Sequence, residues 1–168
     1  RIVSWLKDYA EKAGVKGYVI GVSGGVDSGV VSTLCAMTGL KVLALEMPIR
    51  QQKDQVSRAL EHIDFLKNKF PNVEGFTVDL NEPFEALYKT FDVKDDEFPA
   101  EKLAFANTRS RLRMLTLYYY GQINGLLVCG TGNKVEDFGI GFYTKYGDGG
   151  VDVSPIADLY KTEVYALA

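Results

Sequence analysis

The sequence predicts an α/β fold: a parallel sheet flanked by helices on both faces. Three observations predict it. Segments of strand and helix character alternate along the chain. The strand segments are continuous apolar runs, the pattern of strands covered on both sides. Two glycine-rich exits, after Val22 and after Cys129, both follow strands. In open parallel sheets ligands bind there, beyond the carboxyl ends of the strands.

The elements follow in order. "RIVSWLKDYAEKAG" places Ile2, Val3, Leu6, Tyr9 and Ala10 on one helical stripe, with Gly14 as its stop. "GYVIGV" reads as a short buried strand. "SGVVSTLCAMTG" reads as a helix starting near Ser28 and ending at Gly39. "KVLALEMP" is a second strand, stopped by Pro48. The spacing of Val56, Leu60 and Ile63 predicts a helix over 51–69. "EGFTVDL" is a third strand, and a short helix follows over 83–91. "DVKDDEFP" is acidic and reads as a surface loop. A long helix is expected over 100–120, and "GLLVCGTGN" as a fourth strand leaving through glycine. An irregular glycine-rich stretch runs to Pro155, and "DLYKTEVYALA" begins a last helix. One domain over 1–168 is expected. The sequence stops in mid-helix without a stop signal, so a further C-terminal segment is expected.

Composition narrows the chemistry. The 168 residues are 46% hydrophobic and 24% charged, enough for a domain with its own core. A net charge of −3 gives no general attraction for nucleic acid or a membrane surface, so neither is an expected partner. Any bound anion must meet a local cluster of donors. Cys35 and Cys129 sit in apolar contexts and read as small buried hydrophobes in a reducing compartment, not as a disulfide. With no signal peptide or apolar run long enough to span a bilayer, the expected place is the cytoplasm. His62 is the only histidine, leaving little for a histidine metal site or a Ser-His-Asp triad.

The first glycine-rich exit, "GVSGGVDSG", covers Gly21, Val22, Ser23, Gly24, Gly25, Val26, Asp27 and Ser28. Few β-carbons let backbone N–H groups converge, and a helix start adds its positive dipole end. Together they suit phosphate or pyrophosphate. Ser23 and Ser28 are expected to donate hydroxyl hydrogen bonds to the same oxygens. Asp27 would repel phosphate unless a divalent cation such as Mg²⁺ lies between them. The plainer reading is a tight turn with Asp27 and Ser28 as N-caps. The loop lacks the Gly-Lys-Ser/Thr of a Walker A motif and the glycine spacing of a dinucleotide fingerprint. It matches "SGGxDS", the signature of the N-type ATP pyrophosphatases, which cleave ATP between the α and β phosphates.

Further along, "NTRSRLRM" sets Arg109 and Arg113 on one helical face, with Arg111 pointing well away from it. Any one of them reads as a solvated charge. Three together with Asn107 point to recognition of phosphate or carboxylate by at least one. In "GTGNKVEDFG", Thr131 faces a second ligand-side exit, and Glu136 could reach back as a second metal ligand. Glu136 and Asp137 also read as ordinary acids of a first helical turn. "FYTKYGDGGVD" has no periodicity, and suits close backbone approach with a few fixed polar groups, Lys145, Asp148 and Asp152. Lys161, in a first helical turn where a cation opposes the dipole, hints at an anionic partner.

Together "GVSGGVDSG", "LALEMP", "NTRSRLRM", "GTGNK.E", "TKYGDGGVD" and "PIADLYKTEVYALA" resemble the NAD synthetase family over nearly the whole chain. The resemblance implies an adenine nucleotide alpha hydrolase-like, Rossmann-like fold. It implies a ligase that amidates nicotinic acid adenine dinucleotide (deamido-NAD) with ATP and ammonia, through an adenylate, releasing AMP and pyrophosphate. By motif, residues 21–28 would bind ATP with Thr131 and Lys161. Asp27 and Glu136 would hold Mg²⁺, and Asp27 and Lys161 would be catalytic. Arg111, Lys145 and Asp152 would contact the dinucleotide. The stretch from Glu136 to Lys145 is one residue longer than the family pattern, so Asp137 stands as the alternative metal ligand. A homodimer is implied, with Ile2, Val3, Trp5, Leu6 and the run Tyr118 to Tyr120 available to the interface or the core. The alternatives are another adenylating enzyme of the same loop class, GMP synthetase-like or tRNA-thiolating, and a non-catalytic ATP-binding module.

Overall fold

Four parallel strands form one sheet in the order β3-β2-β1-β4, with β1 at Gly17–Gly21, β2 at Lys41–Glu46, β3 at Val73–Thr77 and β4 at Leu126–Val128. The structure is a computed structural model describing residues 1–91 and 98–168. The expected acidic loop over 92–99 lies largely outside the described residues. Helices α1 (Ile2–Ala13), α2 (Val26–Ala36), α3 (Lys53–Lys69) and α6 (Lys161–Leu167) cover one face; α4 (Asn81–Thr90) and α5 (Pro99–Asn124) cover the other.

Alternate strand residues feed two cores, as a period of two requires. In β1, Tyr18 and Ile20 point to the α1, α2 and α3 side with Leu6, Val31, Cys35 and Leu66. Val19 points to the other side, with Leu43, Leu45, Phe84, Leu126 and Val128. This is why the strands carry apolar runs without alternation. The order of connection reverses between β1 and β4, since β4 is reached through α5 on the opposite face. Such a reversal opens a crevice at the carboxyl ends of the two central strands.

Several elements differ from their sequence-based bounds. α2 starts at Val26, with Gly25 as N-cap and no side-chain cap, so neither Asp27 nor Ser28 caps it. The fourth strand keeps only three residues, because Gly130 and its neighbours leave the sheet. A single bridge, Cys129 to Val153, continues the pairing. α5 extends to Asn124 and ends on Gly125 in the left-handed conformation. After β4 the chain forms a π-helical turn, Lys134–Gly139, which no hydrophobic period announces. α6 begins at Lys161 itself. No helix among the described residues is long and apolar enough to cross a membrane.

Candidate nucleotide and metal site

The exit of β1 is held in shape from within. Gly24 adopts φ +78°, and a β-carbon there would lie 2.8 Å from the Gln55 carbonyl oxygen, so the loop requires glycine. Ser28 is buried, and its hydroxyl donates to the Gly25 carbonyl at 2.9 Å while accepting from the Ser23 N–H at 3.2 Å. The Ser28 hydroxyl is thus hydrogen-bonded within the loop, where the expectation has both hydroxyls facing a ligand. Ser23, by contrast, is exposed, 3.1 Å from Ser28 Oγ, and accepts from the Gly25 N–H at 3.3 Å. The first turn of α2 then presents N–H groups without a side-chain cap, which suits an anion.

Three elements bring charge to the mouth of this loop. Asp27 comes from the first turn of α2, Glu136 from the π-helical turn, and Lys161 from the start of α6. The Lys161 ammonium donates to Asp27 Oδ2 and, at 3.1 Å, to Glu136 Oε1. Burial pushes the Lys161 ammonium down, but hydrogen bonds to Asp27 and Glu136 outweigh it and hold its pKa above the ordinary 10.5. The cation expected to meet an anionic ligand thus meets the protein's own carboxylates. Asn133, fully buried, donates from Nδ2 to Asp27 Oδ1 at 3.2 Å.

Glu136, not Asp137, stands beside Asp27. Asp137 packs against Gly132, and burial together with Asp148 and Glu136 raises its pKa. Two carboxylates directed at one point fit Mg²⁺, which takes one or two carboxylates and completes its shell with water and phosphate oxygens. No cluster of three or more His, Cys, Asp or Glu occurs among the described residues. The donor set therefore suits a hard ion shared with a phosphate ligand, not a fully protein-caged metal.

Between the exits of β1 and β4 lies a cavity of about 340 Å³. Val22, Met47, Leu117 and Val151 give it an apolar wall, and Gln51, Arg113 and Thr131 supply polar groups. Arg113, one of the three arginines of "NTRSRLRM", lines it: its Nε donates to the Met47 carbonyl at 3.0 Å, and burial lowers its pKa, with Arg109 adding to the effect. The helical spacing that separates it from Arg111 was the available signal.

The dinucleotide candidates form a second group along α5. Asn107, Ser110, Arg111, Met114 and Tyr118 share one stripe, and segment 144–152 lies against it. Thr144 donates to Asn107 Oδ1 at 2.8 Å, Ser110 to Asp148 at 2.6 Å, Arg111 Nε to the Lys145 carbonyl at 3.1 Å, and Tyr118 to Asp152 at 3.0 Å. The structure therefore joins Arg111 to Lys145 and sets Asp152 apart. Asp152 Oδ2 also accepts from the Val128 N–H at 2.7 Å, which ties it to the edge of β4. Burial, with the bond to Asp152, pushes Tyr118 up to about 12. Cys35 and Cys129 are both free and buried, with sulfurs 3.5 Å apart.

Residues 1–168 match the family described as NAD synthase. The NH(3)-dependent NAD(+) synthetase of Finegoldia magna is 39% identical over 168 residues, 99% of this chain and 65% of its own length. The structure of NMN synthetase from Francisella tularensis superposes with a TM-score of 0.86 at 36% identity, over 99% of this chain and 66% of that one. The NH3-dependent NAD synthetase from Campylobacter jejuni, in complex with the nitrate ion, gives a TM-score of 0.86 at 33% identity, over 99% and 69%. The chain thus spans about two thirds of the length of these relatives. With a family match over residues 1–168 and a relative 39% identical over 99% of the chain, the chain belongs to the NAD synthase family.

Proposed function

We propose that this chain is the ATP-activating domain of a ligase that amidates deamido-NAD to NAD with ammonia, releasing AMP and pyrophosphate. The observation that supports it most is the meeting of Asp27, Glu136 and Lys161 at the mouth of an uncapped helix start. The nicotinate carboxylate is a poor acyl donor. Its attack on the α-phosphorus of ATP forms an acyl-adenylate and breaks the bond to pyrophosphate. Ammonia then forms the amide and expels AMP. No covalent protein nucleophile is needed, which is consistent with two buried thiols.

The chain's own residues align the groups and offset charge. The cavity wall of Met47, Leu117 and Val151 would take the adenosine, with Thr131 and Gln51 at its polar side. The backbone N–H groups over 23–28 would receive the phosphates, with Ser23 adding a hydroxyl. Asp27 and Glu136 would hold Mg²⁺, which when bound spreads the charge developing on pyrophosphate. Lys161 would leave the two carboxylates and turn to the phosphates. Arg111, Lys145 and Asp152 would hold the dinucleotide on the outer side of segment 144–152.

The test is incubation of the full-length protein with ATP, Mg²⁺, ammonium and deamido-NAD. Pyrophosphate release that depends on the dinucleotide is expected. Release without it, or none, sinks the reading, and equals the non-catalytic alternative in the second case. The likeness to an NMN synthetase favours one second reading, amidation of the mononucleotide acid; a parallel arm with that acid decides between them by kcat/KM. We further propose a homodimer in the cytoplasm. Leu6 is buried core, whereas Leu115, Tyr119 and Ile123 line up at i, i+4 and i+8 on the exposed side of α5. Sedimentation equilibrium should give twice the chain mass, and the double variant Leu115→Arg, Tyr119→Arg should give one.

A further inference from the structure

Two side chains touch both halves of the acidic pair. Lys161 does so by charge. Asn133 does so through hydrogen bonds from a position without any solvent exposure. Its Oδ1 accepts from the N–H of Val135 at 3.1 Å and of Glu136 at 3.2 Å, which caps the π-helical turn. Its Nδ2 donates to Asp27 Oδ1 at 3.2 Å. The two N–H donors at one end fix which end of the amide is oxygen. One planar group therefore sets where the backbone of Glu136 begins and which way the Asp27 carboxylate faces. It leaves Asp27 Oδ2 turned toward Lys161.

A cap alone would not call for asparagine, since serine, threonine or aspartate serve as well. Serine is too short to reach Asp27 as well, and aspartate offers only acceptors to a carboxylate. The donor arm is what the amide adds. π-helical turns occur often at functional sites, and this one places its third residue, Glu136, at the site.

We propose that Asn133 is a positioning residue that ties Asp27 and Glu136 into one rigid acidic pair and thereby sets the affinity of the site for a divalent cation. This rests on the reading of Asp27 and Glu136 as cation ligands. Outer-shell partners of metal ligands elsewhere are worth about 10–100-fold in metal affinity or activity.

The test is Mn²⁺ binding, read by electron paramagnetic resonance in the full-length protein with α,β-methylene-ATP present, alongside thermal melting. Asn133→Ser keeps a cap acceptor and lacks the arm to Asp27. It should melt close to wild type and bind Mn²⁺ about 10–100-fold more weakly. Wild-type Mn²⁺ affinity in Asn133→Ser, with binding lost in Asp27→Asn, overturns this proposal alone. Wild-type Mn²⁺ binding in Asp27→Asn overturns both it and the cation reading. Should Asn133→Ser not fold, isosteric Asn133→Asp decides. It keeps the cap and turns the arm to Asp27 repulsive. Mn²⁺ binding at least about tenfold weaker than wild type, read by the same resonance measurement, supports the proposal. Wild-type Mn²⁺ affinity overturns it.

Discussion

Asp27 is the residue whose chemistry can be isolated most cleanly. Its side chain is 16% exposed and already holds two partners, Lys161 and Asn133. Asp27→Asn keeps the shape and removes the charge. Turnover should fall about 10²–10³-fold, the scale of losing one preorganised charge-stabilising group, while circular dichroism stays unchanged. Steady-state pyrophosphate release with Mg²⁺ limiting checks it, and a normal rate there removes Asp27 from the metal site. At this scale the sequence is legible in residue type and not in direction. Ser23 and Ser28 look equivalent in "SGGVDS", yet one hydroxyl is open and the other is spent on Gly25. Asn133 carries a readable signal, an asparagine followed three residues on by Glu136, the capping pattern of a helix start.

Among the elements, α5 has the double task of closing the sheet and holding segment 144–152. Its arginines were legible as a group, and their division was legible from 100° per residue. Their partners were not, because Arg113 meets a carbonyl from the end of β2 and Arg111 one from a loop without periodicity. The short β4 was equally hidden, since an apolar run does not say where pairing stops. The contact between α5 and the loop is close at Gly147. A β-carbon there would lie 2.9 Å from both the Ser110 and Thr144 β-carbons. Gly147→Ala should lift the loop from the helix and cost about 1–3 kcal/mol of stability, as overpacking does. The KM for the acid substrate should rise more than the KM for ATP. Equal changes in the two, measured with each substrate varied in turn, would place segment 144–152 away from the acid.

For the whole molecule, two titratable groups, Glu46 buried and His62 half-buried, tilt stability in opposite directions. Glu46 is buried at the end of β2 with Oε2 unpartnered among the described residues, and burial raises its pKa above 4.5 despite Thr77 and Arg113. The native state binds its proton more tightly than the unfolded chain, so stability falls as pH climbs from 4.5 through the raised value. His62, bonded to Ser32 at 2.8 Å, is held below 6.5 by burial. There the unfolded chain takes the proton more readily, so stability is lost as pH falls below 6.5. Glu46→Gln should therefore be more stable than wild type at pH 7 and flatten the decline above 4.5, leaving the acid side shaped by His62. Urea unfolding between pH 4.5 and 8 measures both slopes. The alternation of strand and helix made this two-sided architecture readable from apolar runs alone, whereas the buried Glu46 lay unnoticed inside one of them. The placement of Lys161 bears on biosynthesis. Every strand among the described residues has been made once Val128 has left the ribosome, but the ammonium that reconciles Asp27 with Glu136 follows only with α6. A nascent chain can bury its apolar layers while its two acids still face each other uncompensated, so the site around Lys161 settles after the sheet does.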